Sequence, residues 1–148
     1  MSSEKLVPFA TTLHVRDCCL CLHVQRAARA LARRFDDALR PLGLTNGQFS
    51  LLMSLNRPEP ASMASVAGLL AMDRTTLTAA LKPLERRGLV KIIPGQTDHR
   101  SRRLILTSAG EALLASALPT WQQTHQEVEV SLNDNDLDRL RSGLRSLS

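Results

Sequence analysis

The chain has 148 residues, 43% hydrophobic and 22% charged, with a net charge of +5 and three cysteines. That length suits one domain with a real core, and that composition excludes wholesale disorder. No run nears eighteen apolar residues, the start lacks a signal-peptide layout, and three cysteines are an odd number, so a cytoplasmic protein with no membrane segment and no disulfide framework is expected.

Through residues 17–40 apolar side chains recur every three or four positions: Leu20, Val24, Ala27/Ala28, Leu31, Phe35 and Leu39, with Arg26, Arg29, Arg33 and Arg34 on other faces. This spacing predicts a first helix, capped by Asp17 and stopped by Pro41-Leu42-Gly43. Thr45, with Gln48 three residues on, has capping-box spacing and opens a second helix that buries Phe49, Leu51, Leu52 and Leu55 and ends at Arg57-Pro58-Glu59-Pro60. A third helix, about 62–70, has Ser62 as cap and Val66, Leu69 and Leu70 inward. After the tight Ala71-Met72-Asp73 link a fourth runs 74–87, with Leu77, Leu81 and Leu84 as its inner stripe and Gly88 placed for a left-handed cap. Residues 89–94 and 102–106 have strand character and flank a polar turn, Gly95 to Ser101. Helical pattern returns over 108–131, interrupted or bent at Pro119, and over 134–147, opening at Asn133/Asp134. In the last helix Leu137, Leu140, Leu144 and Leu147 form one apolar edge. The predicted fold is mainly helical with a small β-hairpin, in the order α-α-α-α-β-β-α-α.

Charge is unevenly spread. Residues 73–103 hold eight Lys/Arg against three Asp/Glu, a local balance equal to the net charge of the whole chain. Such a cluster marks either a polyanion-binding face or a solvated helix surface. Two short helices joined by about three residues, the second basic and rich in threonine, have the layout of a helix-turn-helix. With Leu77, Leu81 and Leu84 turned inward, Arg74, Thr75, Thr76, Thr78, Lys82 and Arg86 are the candidate contacts of a recognition helix. Guanidinium and ammonium groups meet guanine edges or phosphates; threonine offers a hydroxyl to phosphate and a methyl to thymine. Unsatisfied N–H groups at the helix start favour a phosphate too. The hairpin tip, TDHRSRR, adds three arginines and a histidine. Cations so crowded repel one another unless an anion visits, and insertion into a narrow minor groove is one such use. Double-stranded DNA is therefore the expected partner.

The segment DRTTLTAALKPLERRGLVKIIPGQTDHRSRRLILTSAGEALL resembles the DNA-binding core of the MarR family of bacterial winged helix-turn-helix transcriptional regulators. The family's wing pattern, Asp-x-Arg followed by apolar-x-apolar-Thr, is matched at Asp98, Arg100, Leu104, Leu106 and Thr107, with Gly110 after it. LERRGLV (84–90) and GLTNGQFSLL (43–52) fit as well, and with the flanking helices the likeness spans roughly 17–147. The resemblance implies a homodimeric repressor on a pseudo-palindromic operator, with two recognition helices in successive major grooves and two wings in the minor groove. Apolar edges on the terminal helices, too large for one lobe to cover, fit a dimer independently. Arg100 would enter the minor groove, Arg102 would be a further contact, and Asp98 would hold the wing by pairing with an arginine. The implied organisation is an N-terminal segment and dimerisation helix (1–42), a DNA-binding lobe (43–107) and C-terminal dimerisation helices (108–148). A small aromatic or phenolic effector is implied as well, with Arg16, His23 and Arg26 as candidate cationic partners. Two departures stand out: Ala79 where many relatives place an arginine, and Pro83 inside the recognition helix, where it bends the helix or removes a hydrogen bond.

An enzyme is not expected. His14, His23, His99 and His125 form no catalytic spacing with the acidic residues, and there is no phosphate-binding glycine loop, HExxH or GxSxG. No cofactor or metal is implied. A winged-helix module that binds protein is the competing class, and the arginine-rich wing tip speaks against it. The run DCCLC holds all three cysteines. His14–Cys18 and Cys19–His23 are i,i+4 pairs whose directions differ by about 100°, which suits a tetrahedral metal poorly. Cys18 and Cys21 make a C-x-x-C near a helix start. Counting back from GLT, Cys21 falls where a peroxide-sensing branch of the same family has its reactive cysteine. That branch holds the sulfur with tyrosine hydroxyls, whereas this chain has no tyrosine and carries Phe35 at one such position. Packing of Cys21 on the Val24–Leu31–Phe35 stripe and oxidant sensing by Cys21 are the two alternatives.

Overall fold

The computed structural model describes residues 6–132 and 136–148. The chain divides into two compact units, Met1–Arg34 and Phe35–Ser148. The first holds α1 (Phe9–Cys18) and most of α2 (Leu20–Leu39). One helix from residue 17 was expected, but the chain breaks at Cys19, which takes an extended ψ of 109°. The Cys19 N–H still closes α1 on the Val15 carbonyl (2.9 Å), and its Sγ accepts the Leu22 N–H (3.5 Å) at the start of α2. Asp17 therefore caps nothing: it sits in the last turn of α1 and pairs with Arg16 at 2.7 Å. No glycine or proline marks the break, so the apolar period runs through it unannounced.

The second unit continues from α2 through a 3₁₀ turn (Arg40–Leu42) to α3 (Asn46–Ser54), β1 (Ala61–Ser62), α4 (Met63–Leu70), α5 (Arg74–Arg86), β2 (Val90–Pro94), β3 (Arg102–Leu106), α6 (Ser108–Ser131) and α7 (Leu137–Arg145). The strands form an antiparallel sheet in the order β1-β3-β2, with Ala61 opposite Leu104, Ser62 opposite Arg103 and Val90 opposite Leu106. Relative to the expected order the structure adds α1 and β1. A two-residue strand carries no alternation to detect, and β1 exists only because β3 arrives from forty residues away.

Local chemistry sets most of the other boundaries. Thr45 and Gln48 form the reciprocal capping box. Ser62 caps α4 through the Ser65 N–H, and Thr107 caps α6 through the Gly110 N–H. Asp36 receives both the backbone and side-chain N–H of Asn46 (2.7 and 2.8 Å), which hold its carboxyl below the usual carboxylate range and fasten the end of α2 to α3. Gly88 ends α5 at φ 72°, with Gly88 N–H bonded to Glu85 and Leu89 N–H to Leu84. The same closure ends α4 with an alanine, Ala71 at φ 51°, in place of glycine. Pro83 and Pro119 lie inside helices that continue past them, so Pro119 does not interrupt α6. The expected opening at Asn133/Asp134 lies outside the described residues; α7 is capped by Asp136.

Leu39, Leu52, Val66, Leu77, Leu81, Leu84 and Leu104 have no accessible surface and form the core of this unit. Leu69, expected inward, is 66% exposed, because Ala67 joins Val66 in facing the core while Leu69 lies off that stripe. Where α5, the hairpin and α6 meet, the Leu89 carbonyl accepts the Thr107 N–H (3.1 Å), and the Thr107 hydroxyl donates to the Gly88 carbonyl (2.5 Å). Gly110 packs against the same carbonyl; a Cβ there would lie 2.1 Å from the Leu89 oxygen. Gly110→Ala is expected to lower stability by about 1–3 kcal/mol through this overlap with backbone. Gly143→Ala, in the open in the last turn of α7, is expected to raise it by up to about 0.5–1 kcal/mol. Denaturant melts of the two variants check both signs.

Candidate nucleic-acid interface

Two features of the second unit expose cations without partners. The first is α5. Leu77, Leu81 and Leu84 are fully buried, and the turn of the helix carries Thr75, Ala79, Lys82 and Arg86 to the opposite side. Thr78 flanks that side, and Arg74 and Thr76 stand in the first turn. All six predicted contacts are exposed, and among the described residues the Arg74, Lys82 and Arg86 side chains have no ion-pair or hydrogen-bond partner. Arg87, also counted in the charge cluster, is different: its Nη1 donates to the Gly43 carbonyl (2.8 Å) and holds the turn before α3.

The amino end of α5 differs from expectation. The Asp73 carboxylate accepts the Thr76 N–H at 2.7 Å, and this bond, with Thr76 and Thr75 contributing further, holds its carboxyl below the ordinary value of 3.8. The helix start thus carries its own anion where a phosphate was expected, and that carboxylate repels a phosphate brought to the same spot.

The second feature is the wing between β2 and β3. Asp98 was expected to pair with an arginine. It makes no ion pair among the described residues; its Oδ1 accepts the backbone N–H of Arg100 (3.0 Å), and its carbonyl accepts the Ser101 N–H and hydroxyl (3.1 and 2.7 Å). Asp98 therefore fixes the wing through main chain and leaves the Arg100 guanidinium unengaged. Gly95 is required beneath it, since a Cβ there would lie 2.1 Å from Ser101 Oγ. Arg100 and Arg102 are exposed.

The remaining candidates lie in the first unit. Arg16 is paired with Asp17, His23 Nδ1 contacts the Cys19 carbonyl (2.7 Å), and Arg26 is exposed. Cys21 is exposed, with Sγ accepting from Gln25 Nε2 (3.1 Å), and exposed Cys18 lies 3.7 Å from His14 Nδ1. Among the described residues no three His, Cys, Asp or Glu side chains gather to hold a metal, and no helix is long and apolar enough to cross a membrane. One site in the second unit was missed. Phe49 stacks on Trp121 (6.0 Å, 12°) and Trp121 on His125 (4.8 Å, 16°), beside a cavity of about 320 Å³ walled by Phe49, Ser50, Met53, Ser54, Leu69, Leu118 and Trp121. The i,i+4 spacing of the chain's single tryptophan and His125 was the available signal.

The MarR family model matches residues 44–101, which include α3 to α5 and reach the wing. The Mycobacterium tuberculosis transcriptional regulator MosR, solved in complex with DNA, is 40% identical, with 87% of this chain and 92% of that one covered and a TM-score of 0.79. The transcriptional repressor CouR, solved on a 23-mer DNA duplex, is 30% identical over 90% and 94%, with a TM-score of 0.78. The transcriptional activatory protein BadR of Rhodopseudomonas palustris is 31% identical over 121 residues, 78% of this chain and 69% of BadR. The chain belongs to the MarR family. It is accordingly a DNA-binding transcriptional regulator, of a family that is not enzymatic, and α4, α5 and the β2–β3 hairpin are its winged helix-turn-helix.

In this MarR-family lobe the Asp73 cap is testable by pH. Its carboxyl is depressed in the folded chain, so its contribution is full above pH 3.8 and is lost as the pH falls through the lower, folded value. Asp73→Ala is expected to melt below wild type at neutral pH, with the gap closing only under more acid conditions. A gap that widens on acidification contradicts capping by the carboxylate.

Proposed function

We propose that the chain is a homodimeric cytoplasmic repressor that binds a pseudo-palindromic operator and is released by a small aromatic or phenolic effector. The observation that carries the DNA geometry is the division of α5 into a fully buried leucine stripe and an exposed polar face, beside a wing held open by Asp98. In this reading Thr75, Thr78, Lys82 and Arg86 face the major groove, with Arg74 and Thr76 at its edge, and Arg100 enters the minor groove with Arg102 on the backbone. Residues 1–42 and 108–148 form the dimer. Val15, Leu20, Val24 and Leu31, and on α7 Leu140 and Leu144, are exposed apolar side chains that a second copy would cover. Two-fold symmetry then sets half-sites about one helical turn apart. Arg100→Ala is expected to weaken operator binding about tenfold or more, whereas Ala79→Arg, which adds a cation to the groove face, is expected to tighten it. Fluorescence anisotropy on the upstream region of the chain's own gene measures both; full affinity in Arg100→Ala defeats the wing assignment.

The effector is assigned to the cavity beside Trp121. Phe49 and Trp121 offer ring faces, Met53, Leu69 and Leu118 an apolar wall, and Ser50 a hydroxyl to orient a phenol or carboxylate. Titration with hydroxybenzoates is expected to quench the single tryptophan and to lower operator affinity over the same concentration range, and Leu69→Trp is expected to abolish both by filling the cavity. Quenching without loss of DNA affinity separates binding from regulation.

A second reading rests on the exposure of Cys18 and Cys21. A hydroperoxide would transfer its distal oxygen to the Cys21 thiolate, breaking the O–O bond and releasing the alcohol, to leave a sulfenic acid in the N-terminal unit. DNA affinity unchanged by hydroperoxide in wild type eliminates it; loss of affinity in wild type but not in Cys21→Ser supports it.

A further inference from the structure

The foot of the wing holds two arginines in one cleft, and neither belongs to the face of α5 or to the wing tip. Pairing of β1 with β3 sets Ala61 opposite Leu104 and Ser62 opposite Arg103. Ala61 and Leu104 are buried, so alternation forces Ser62 and Arg103 together onto the outer face. Arg103 is partly buried there, and among the described residues its side chain has no hydrogen-bond or ion-pair partner. Across the cleft Arg57 is already fastened: its Nε donates to the Ser54 carbonyl (2.8 Å) and its Nη1 to Ser65 Oγ (3.2 Å), while Ser65 Oγ donates to the Ser62 carbonyl (2.9 Å). That leaves the Nη2 edge of the guanidinium unengaged. The cleft, about 460 Å³ and open to solvent, is lined by Pro58 and Pro60, and its only acidic side chain is the exposed Glu59.

We infer that this cleft is an oxyanion site and that its occupant is a phosphate of the DNA backbone. Two guanidinium groups present planar forks that match phosphate oxygens. One fork is immobilised in advance by Ser54 and Ser65, so little freedom is lost on binding. The cleft also opens at the start of α4, the first helix of the helix-turn-helix pair, and in such motifs that helix crosses the backbone. The inference rests on the DNA-binding reading and adds a contact that carries no sequence information. Glu59 opposes a phosphate, so it tunes the site downward.

A backbone contact requires no operator, so the test uses the full-length protein and a labelled random-sequence duplex about three helical turns long, in anisotropy titrations over a KCl series. Arg103→Ala is expected to bind about tenfold more weakly at low salt and to flatten the log–log salt slope by about one for each bound protomer. Arg103→Lys is expected to restore most of the slope, and Glu59→Gln to tighten binding. Melting temperatures equal to wild type certify the fold of each variant. An unchanged slope and affinity in a folded Arg103→Ala overturns the proposal, and the DNA-binding reading survives that result if Arg100→Ala still weakens binding. A wild type that binds the upstream region of its own gene but ignores the random duplex overturns the cleft proposal alone, and one that ignores both sinks both. In a parallel arm, inorganic phosphate is compared with chloride at equal ionic strength by thermal shift. Stabilisation by phosphate that Arg103→Ala loses, with the DNA slope intact, assigns the cleft to a free oxyanion and overturns the DNA assignment.

Discussion

The Leu89 carbonyl is the point on which the rest of the DNA-binding lobe depends. It takes the Thr107 N–H, it sits against the bare Cα of Gly110, and the residue before it, Gly88, takes the Thr107 hydroxyl. The end of α5, the return of β3 and the first turn of α6 are thereby tied within one turn of chain. In the proposed reading α5 and the wing meet two grooves at once, so the angle between them must be constant. Here the junction is tied by one main-chain hydrogen bond, one from the Thr107 hydroxyl, and the bare Cα of Gly110. Behind it Leu81, Leu84 and Leu104 are fully buried and add the apolar burial that holds the layers together.

The charge cluster looks different once its members are placed. Eight cations between residues 73 and 103 suggested one polyanion-binding face. In the fold they divide by task. Arg87 braces the turn at Gly43, Arg103 turns into a separate cleft, and Arg74, Lys82, Arg86, Lys91, Arg100 and Arg102 remain in the open. Unengaged cations cost little on a solvated surface, but holding so many near one another raises mutual repulsion that a polyanion relieves. The acidic residues of the segment are not counterweights to them. Asp73 and Asp98 each give a carboxylate oxygen to a backbone N–H group, and Glu85 makes no ion pair among the described residues, so the neighbouring arginines are free of ion pairs.

What could be read in the sequence was what neighbours in sequence decide. Thr45 with Gln48, Ser62, Gly88 and the leucine period of α5 act within one or two turns, and each stands in the structure where its spacing placed it. Gly110 and Thr107 were visible as residues of a wing pattern, but not as parts of a junction. The failures have a common physical origin in long-range pairing or in conformations that residue type does not announce. Cys19 breaks a helix without a glycine or proline. Ala71 adopts a left-handed conformation that glycine usually takes, at a cost of about 1–2 kcal/mol. β1 and the Ser62–Arg103 pairing require β3, and the Phe49–Trp121 stack requires α3 and α6 to meet. The site was therefore legible as a list of cations on a helix and a wing; which of them share a surface was not.

The stack also bears on how a ligand could act at a distance. A small molecule changes DNA affinity only by the difference in its affinity for two arrangements of the lobe; one that fits both equally shifts nothing, however tightly it binds. The proposed cavity satisfies the structural precondition for such a difference, because its walls come from three helices: Phe49 and Met53 from α3, Leu69 from α4, and Leu118 and Trp121 from α6. Leu69 lies two residues before Ala71, the left-handed residue that ends α4 and leads into α5. At the other wall Trp121 lies on α6, whose first turn carries Thr107 and Gly110 at the Leu89 junction. On the effector reading proposed above, a ligand between Leu69 and Trp121 would touch the two helices that flank α5 and the wing without contacting DNA.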